Sequence, residues 1–141
     1  MKKKNSNDKF VLFTDGGARG NPGPAAAGAF LCTPEKDYRK ELGVYLGEAT
    51  NNEAEYRALV IGIEAALKAG AKKLICYLDS ELIVKQLKGL YKVKNERMKS
   101  YYDEVKELEK ELDKVSYKHV PREKNKKADS LVNEVLDNCC K

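Results

Sequence analysis

Four carboxylates stand where secondary-structure elements are expected to begin or end. Asp15 follows the apolar run FVLFT, Glu55 lies in TNNEAEY, Asp79 follows LICYL, and Asp129 lies in NKKADSL. Each acid alone is typical of a helix cap or a solvated side chain. Together they would repel one another unless a divalent cation lay between them, because carboxylate oxygens are the ligands that hard cations prefer. The pattern therefore predicts a metal site if the fold brings the four acids together.

The first half of the chain favours a sheet. Three apolar stretches, 10–14, 26–32 and 38–46, are typical of strands and are separated by the turn-like GGARGNPGPA and TPEKD. Such short connections favour an antiparallel meander. Thr50 and Glu53 then form a capping-box pattern that opens a helix, which is predicted to end at Gly70.

The second half alternates strands and helices. Lys73–Leu78 is a compact apolar strand, the helical SELIVKQLKG follows it, and a long amphipathic helix begins near Asn95. A fifth strand at 115–120 precedes a final helix. We therefore predict an α/β fold with a five-stranded mixed sheet, three antiparallel strands followed by two parallel ones, flanked by about four helices.

This topology gives the carboxylates a common location. Ligand sites of open α/β sheets lie beyond the ends of neighbouring strands, so Asp15 and Asp79 become adjacent if the first and fourth strands pair. Glu55 lies one turn into the first helix, and Asp129 lies near the start of the last. The positive helix N-termini partly offset the repulsion between the acids.

Length and charge bound the function. The chain has 141 residues and a net charge of +5, with 35% charged residues. One domain at 9–138 is expected, between a disordered basic tail at 1–8 and a short tail at 139–141. The positive balance is compatible with a nucleic-acid partner, and equally with a lysine-rich surface that only confers solubility.

The cysteines indicate no metal or disulfide framework. The four cysteines have no CxxC spacing, and the sequence has neither a signal-peptide pattern nor a transmembrane segment. We expect a reduced cytoplasmic protein without a membrane partner. Cys32 and Cys76 lie in apolar runs and are expected to be buried, while Cys139 and Cys140 lie at the terminus.

Four motifs in order, TDGGARGNPGPAAAG, TNNEAEYRAL, LDSELIVKQL and HVPREKNKKADSL, resemble type 1 ribonuclease H over about residues 10–138. The resemblance implies a ribonuclease H-like fold and an endonuclease that hydrolyses the RNA strand of RNA/DNA hybrids, leaving 5′-phosphate and 3′-hydroxyl ends. It also implies two Mg²⁺ ions, for which Mn²⁺ can substitute. By the motif match Asp15 bridges both ions, Glu55 and Asp79 hold one, and Asp129 holds the other. Glu53 is two residues too early to be the catalytic acid.

The resemblance also implies substrate-binding residues in the same loops: Gly16, Gly17, Arg19, Asn21, Thr50, Asn51 and Asn52. Glycines allow close approach of a sugar-phosphate backbone, and amides can both donate to and accept from a 2′-hydroxyl. The alternatives are structural. Thr50 also fits a helix N-cap, Asn51 and Asn52 fit helix-start residues, and Arg19 fits a solvated loop side chain.

The accessory residues are less closely matched. Many family members carry a loop histidine before the last acid, but His119 lies within the alternating segment VSYKHV, where a packed or hydrogen-bonded core residue is the usual alternative. Arg122 is the other accessory candidate. The chain is a short form without the basic, tryptophan-rich protrusion of some relatives, because it has no Trp and only LYKVKN there. Weaker, more salt-sensitive binding is expected.

Two classes of function follow. The first is a monomeric hybrid-cutting nuclease, with double-stranded RNA as an additional candidate substrate because some short relatives cut it. The second is a non-catalytic nucleic-acid-binding module of the same fold, which arises when such domains lose their acids. All four acids are present, and this favours the enzyme.

Overall fold

The central sheet is built from strands whose side chains alternate between two faces. In the computed structural model, which describes residues 8–35 and 37–139, the strands are β1 (Lys9–Ala18), β2 (Gly23–Cys32), β3 (Arg39–Ala49), β4 (Lys73–Leu78) and β5 (Lys114–His119). The helices are α1 (Asn51–Lys68), α2 (Glu81–Leu87), α3 (Glu96–Glu109) and α4 (Lys126–Cys139), with a 3₁₀ turn at Arg122–Lys124. The boundaries of β4 match the sequence prediction.

The strand order is β3-β2-β1-β4-β5. β1 pairs with β2, and β2 with β3, in antiparallel fashion, whereas β4 pairs in parallel with both β1 and β5. This is the mixed sheet predicted from the sequence, and the pairing of β1 with β4 brings the two strand-borne aspartates side by side.

Helices cover the two faces of the sheet unequally. The main core lies between one face and α1, α2 and α3, and it contains alternate residues of β1 and β4 such as Leu12, Leu74 and Leu78. On the opposite face, α4 packs on β1, β2 and β3. Residues 25–32 of β2 are all buried because this strand lies between α1 and α4.

Small residues set how closely α4 approaches the sheet. A Cβ atom on Gly28 would lie 2.4 Å from the carbonyl oxygen of Ala128, and one on Gly43 would lie 2.8 Å from the Cγ2 of Val135. Neither position has room for a side chain. Gly28 therefore allows the first turn of α4, which carries Asp129, to lie against β2, and Gly43 allows the later residues of α4 to lie against β3.

Three strands are longer than the sequence predicts. β2 begins at Gly23 rather than at residue 26, and β3 ends at Ala49 rather than at residue 46. β1 does not end before Asp15 but continues to Ala18, because its pairing with β2 extends to the Ala18–Ala25 pair. Asp15 therefore lies within a strand, and Gly16 and Gly17 are strand residues. The 3₁₀ turn at Arg122–Lys124 was not predicted.

The termini lie largely outside the described residues, which begin at Asp8 and end at Cys139. The expected tails are therefore represented only by those two residues. Cys32 and Cys76 are buried, as expected. Within the described chain no helix has the length and apolar character required to cross a membrane.

Candidate active site

The two strand-borne aspartates lie at the same edge of the sheet. Thr14 of β1 is in register with Leu78 of β4, so Asp15 and Asp79, which follow them, are neighbours. Asp15 is buried and Asp79 is half-buried. Asp15 and Asp79 point to the face of the sheet that carries α4, because Thr14 and Leu78 point into the core on the other face.

Glu55 reaches this site from α1, one turn into the helix. A Cβ atom on Gly16 would lie only 2.2 Å from the carbonyl carbon of Ala54, so glycine is required for α1 to approach β1 this closely. Glu55, Asp15 and Asp79 each offer a carboxylate oxygen, and the three oxygens lie within 4.8 Å of one another. One oxygen of Glu55, Oε1, is buried without a hydrogen-bond partner among the described residues.

Asp129 completes the cleft from α4. It is about one-third exposed, and its Oδ1 lies 4.0 Å from the Nη1 of Arg122. Asp129 lies close enough to Asp15 to affect its ionisation. It does not belong to the tight three-carboxylate group. The four acids therefore form a triad with a fourth carboxylate beside it.

Ionisation of the triad is strongly perturbed. Burial, followed by the negative charge of Asp79, raises the pKa of Asp15 to about 7 from an ordinary value of 3.8. Burial, followed by the charge of Asp15, raises the pKa of Glu55 well above its usual range. A bound cation would reverse both effects, since it stabilises the charged carboxylates. The buried Glu55 oxygen without a partner fits the same ligand.

Asn125 supports the site and was missed by the sequence reasoning. Its buried side chain donates from Nδ2 to the Thr14 carbonyl oxygen at 2.8 Å and to Asp79 Oδ2 at 3.2 Å. It thereby connects the segment before α4 to β1 and orients Asp79. In the sequence it stands among lysines, where an asparagine before a helix indicates only a cap.

The predicted substrate-binding amides stabilise the loop that joins β1 to β2. Asn51 Oδ1 accepts a hydrogen bond from the Ala18 amide at 2.8 Å, and Asn21 Oδ1 accepts one from the Asn51 amide at 2.9 Å. The Nδ2 groups of both side chains donate to none of the described residues, so they remain available to a ligand. Asn52 is exposed and lines the same cleft, of about 410 Å³.

Thr50 is the N-cap of α1, as the capping-box pattern predicts. Its Oγ1 accepts from the Glu53 amide at 3.1 Å, and Glu53 Oε1 accepts from the Thr50 amide at 2.9 Å. Glu53 is buried and also forms an ion pair with Arg97 of α3, 3.2 Å apart. Glu53 therefore joins the starts of two helices, and it is not one of the clustered acids.

The three basic candidates have different locations. Arg19 lines the cleft and forms a 2.7 Å ion pair with Asp137 of α4. Arg122 also lines the cleft. His119 is exposed at the end of β5 and is absent from the cleft lining. The alternative of a packed core histidine is therefore wrong.

Comparison with known proteins identifies the family of this chain. Residues 13–135 match the family model described as reverse transcriptase-like. A bifunctional protein of Mycobacterium tuberculosis is 40% identical over 130 residues, which cover 92% of this chain and 36% of that protein. The ribonuclease HI of Halobacterium salinarum is 41% identical, with 89% of this chain and 63% of that protein covered. The chain therefore spans between about one-third and two-thirds of these relatives. A ribonuclease H of Pseudomonas fluorescens is 33% identical, with 94% and 93% covered.

Solved structures show the same fold. The Halobacterium salinarum RNase H1 structure superposes with a TM-score of 0.89 at 39% identity, covering 92% of this chain and 98% of that one. A compost-derived RNase H1, LC11, solved in complex with an RNA/DNA hybrid, gives a TM-score of 0.87 at 40% identity, with 94% and 99% covered. The sheet order, the four carboxylates and these similarities together show that the chain belongs to the type 1 ribonuclease H family, in a short form without the basic protrusion.

Proposed function

We propose that this protein is an endonuclease that hydrolyses the RNA strand of RNA/DNA hybrids. The observation that carries the proposal is the cluster of Asp15, Glu55 and Asp79, whose oxygens lie within 4.8 Å of one another beside Asp129. Uncompensated acids at this separation are unfavourable in a buried site, so the cluster has the properties of a cation site. The solved relative in complex with a hybrid supports the choice of substrate.

Two Mg²⁺ ions, with Mn²⁺ as a substitute, are the cofactors that suit this donor set. Asp15, Glu55 and Asp79 would hold one ion, and Asp15 and Asp129 the other. When bound, the pair supplies activation of a water molecule and stabilisation of the leaving 3′-oxygen, giving 5′-phosphate and 3′-hydroxyl ends. The residues themselves then only need to bind and orient. Asn125 orients Asp79, and the Gly16 amide lies beside Glu55, where it favours the charged carboxylate.

Substrate recognition follows from the donors left free around the cleft. The Nδ2 groups of Asn21 and Asn51 and the side chain of Asn52 can bind the 2′-hydroxyls and base edges of a minor groove. Arg19 can contact phosphate if it exchanges its Asp137 partner for the substrate. We propose a monomer located in the cytoplasm, where the buried thiols of Cys32 and Cys76 would stay reduced. Double-stranded RNA is the second substrate to test.

The experiment is cleavage of a hybrid labelled on its RNA strand, with Mg²⁺ and with a chelator. We expect Mg²⁺-dependent cuts within the RNA strand, and Asp79→Asn should lower the rate by more than about a hundredfold, since loss of even a ligand's supporting partner typically costs about 10- to 100-fold. Asp103→Asn, the same change on an exposed residue of α3, is the matched control. Hybrid binding without Mg²⁺-dependent cleavage would establish the non-catalytic binding module instead.

A further inference from the structure

Among the described residues, no helix packs closely on one part of the sheet. On the face that carries the active-site acids, α4 packs on β1, β2 and β3. Ile75 and Tyr77 of β4 and Ser116 of β5 are only partly buried on that face, and a groove of about 420 Å³ lies along these strands. We call this surface, formed by the outward side chains of β1, β4 and β5, the open sheet face.

The open sheet face carries an uncompensated positive charge. The strand register aligns Lys9, Lys73 and Lys114 in one row across three strands, and Lys118 lies further along β5, in register with Tyr77. All four lysines are exposed, and none forms an ion pair with a described residue.

The acids of the strands that form the open sheet face lie only at its ends. Asp8 and Asp113 flank the lysine row at one end, and Asp15 and Asp79 lie in the active site at the other. The positions of β1, β4 and β5 between these ends contain no acid. Charge complementarity therefore favours a polyanion over an apolar or basic partner.

Aromatic rings lie between the lysine row and the active site. Phe13 and Tyr77, both partly exposed, stack with their centroids 4.9 Å apart at an interplanar angle of 17°. Phe30 of β2 lies beside Phe13, with the two centroids 6.3 Å apart, but Phe30 is buried, so the accessible rings are Phe13 and Tyr77. Lysines interleaved with aromatic rings on an open sheet are the combination that binds phosphates and stacks bases of single strands.

We propose that the open sheet face binds single-stranded nucleic acid that continues from a hybrid held in the active site. The proposal rests on the proposed nuclease function, because the hybrid must lie at the carboxylates. Tyr77 and Phe13 lie two residues before Asp79 and Asp15 on the same side of their strands, a separation of about 7 Å. A strand that leaves the cleft along β4 would pass the aromatic rings first and the lysine row last.

The test compares a blunt hybrid with a hybrid that carries a single-stranded tail. Binding is measured by fluorescence anisotropy on the Asp79→Asn protein without Mg²⁺, so that no cleavage occurs. We expect the tailed hybrid to bind more tightly, and Lys73→Gln with Lys118→Gln to bring the ratio of the two affinities close to one. For the tailed hybrid, the slope of log affinity against log salt concentration should become less steep by about 0.7 for each phosphate of the tail that the double variant no longer neutralises.

Two controls accompany this test. The first asks whether the position of the lysines matters or only their charge, and the second asks whether bases stack on the aromatic rings. Lys40→Gln with Lys68→Gln removes the same charge from a different part of the surface and should leave the ratio unchanged. An abasic tail should bind less tightly than a tail with bases. Tyr77→Leu should remove that difference, which is a factor of about 5 to 140 if one base stacks.

An equal affinity for blunt and tailed hybrids would overturn the proposal, as would an affinity ratio unaffected by the Lys73 and Lys118 changes. If an acidic peptide bound to the open sheet face while the single-stranded tail had no effect on affinity, the face would be assigned to a protein partner. That result would also overturn the proposal. Failure of the nuclease proposal is separate, because it appears as a lack of Mg²⁺-dependent cleavage of the blunt hybrid by the unmodified protein.

Discussion

Asp15 is the residue at which a negative charge is strongly disfavoured both by burial and by neighbouring acids. It is 4% exposed and lies beside Asp79, Glu55 and Asp129, so its charged form is opposed by burial and by like charges together. No described lysine or arginine forms an ion pair with Asp15, Glu55 or Asp79. Without a bound cation the clustered carboxylates consequently destabilise the folded state. Such a local cost in stability is common at ligand-binding sites.

This cost should appear as a pH dependence of stability in the metal-free protein. The pKa of Asp15 is raised to about 7 in the folded state from an ordinary 3.8, so the folded state keeps a proton that the unfolded state loses. The contribution of protonated Asp15 to the free energy of unfolding is therefore fully present below about pH 4 and is lost as the pH rises to about 7. The size of this contribution is about 1.4 kcal/mol per unit of pKa difference between the two states.

Asp15→Asn isolates this effect. We expect the variant to become more stable than the unmodified protein as the pH rises from about 4 to about 7, and to lose most of the stabilisation that Mg²⁺ gives the unmodified protein above that pH. Urea denaturation at several pH values, with and without Mg²⁺, measures both quantities. Asp103→Asn on α3 is the control. Parallel stability curves for the unmodified and Asp15→Asn proteins would contradict the electrostatic account.

At the scale of elements, close approaches between β1, α1 and α4 set the geometry of the site. Gly16 has no room for a Cβ atom, which would lie 2.5 Å from the Glu55 amide nitrogen as well as against Ala54. A Cβ atom on Gly17, the adjacent residue, would lie 3.6 Å from the Val132 Cγ1, an ordinary van der Waals distance. The two glycines of TDGG thus have different structural requirements, although both were predicted to bind substrate.

The pair gives a matched test. Gly16→Ala should force β1 and α1 apart, destabilise the fold by about 1–3 kcal/mol or more, and lower kcat by separating Asp15 from Glu55. Gly17→Ala should change stability by less than about 0.5 kcal/mol. If Gly17 also approaches the substrate backbone, its variant should raise KM while kcat is retained. Thermal denaturation and hybrid-cleavage kinetics measure these effects, and equal destabilisation by both changes would contradict the packing explanation.

The elements themselves were largely predictable because they depend on local patterns. The compact apolar run of β4 and the capping box of Thr50 and Glu53 were recognised from a few neighbouring residues, and the structure confirms both. The end of β1 was not predictable, since its extension past Asp15 depends on pairing with β2. Asn125 was missed for a related reason, because its partners, Thr14 and Asp79, are distant in sequence.

At the scale of the whole molecule, the positive charge is distributed unevenly. Four acids gather at one cleft, while the open sheet face and the segment between α2 and α3 carry lysines. That segment lies beside the start of α1, because Arg97 pairs with Glu53 and Gln86 donates to the carbonyl oxygen of Lys92. It is where some relatives carry the basic protrusion, and in this chain it is short.

Hybrid binding should therefore depend on a few exposed lysines and on ionic strength. Lys92→Gln with Lys94→Gln should raise KM and leave kcat nearly unchanged, because neither residue lines the cleft that holds the carboxylates. The plot of log KM against log salt should become less steep by about 0.9 for each phosphate that the double variant no longer neutralises. Lys110→Gln, on a lysine already paired with Glu107 at the end of α3, is the control. A salt slope that does not change in the double variant would show that Lys92 and Lys94 do not bind phosphate, and that Arg19 and the cleft amides bind the hybrid without this segment.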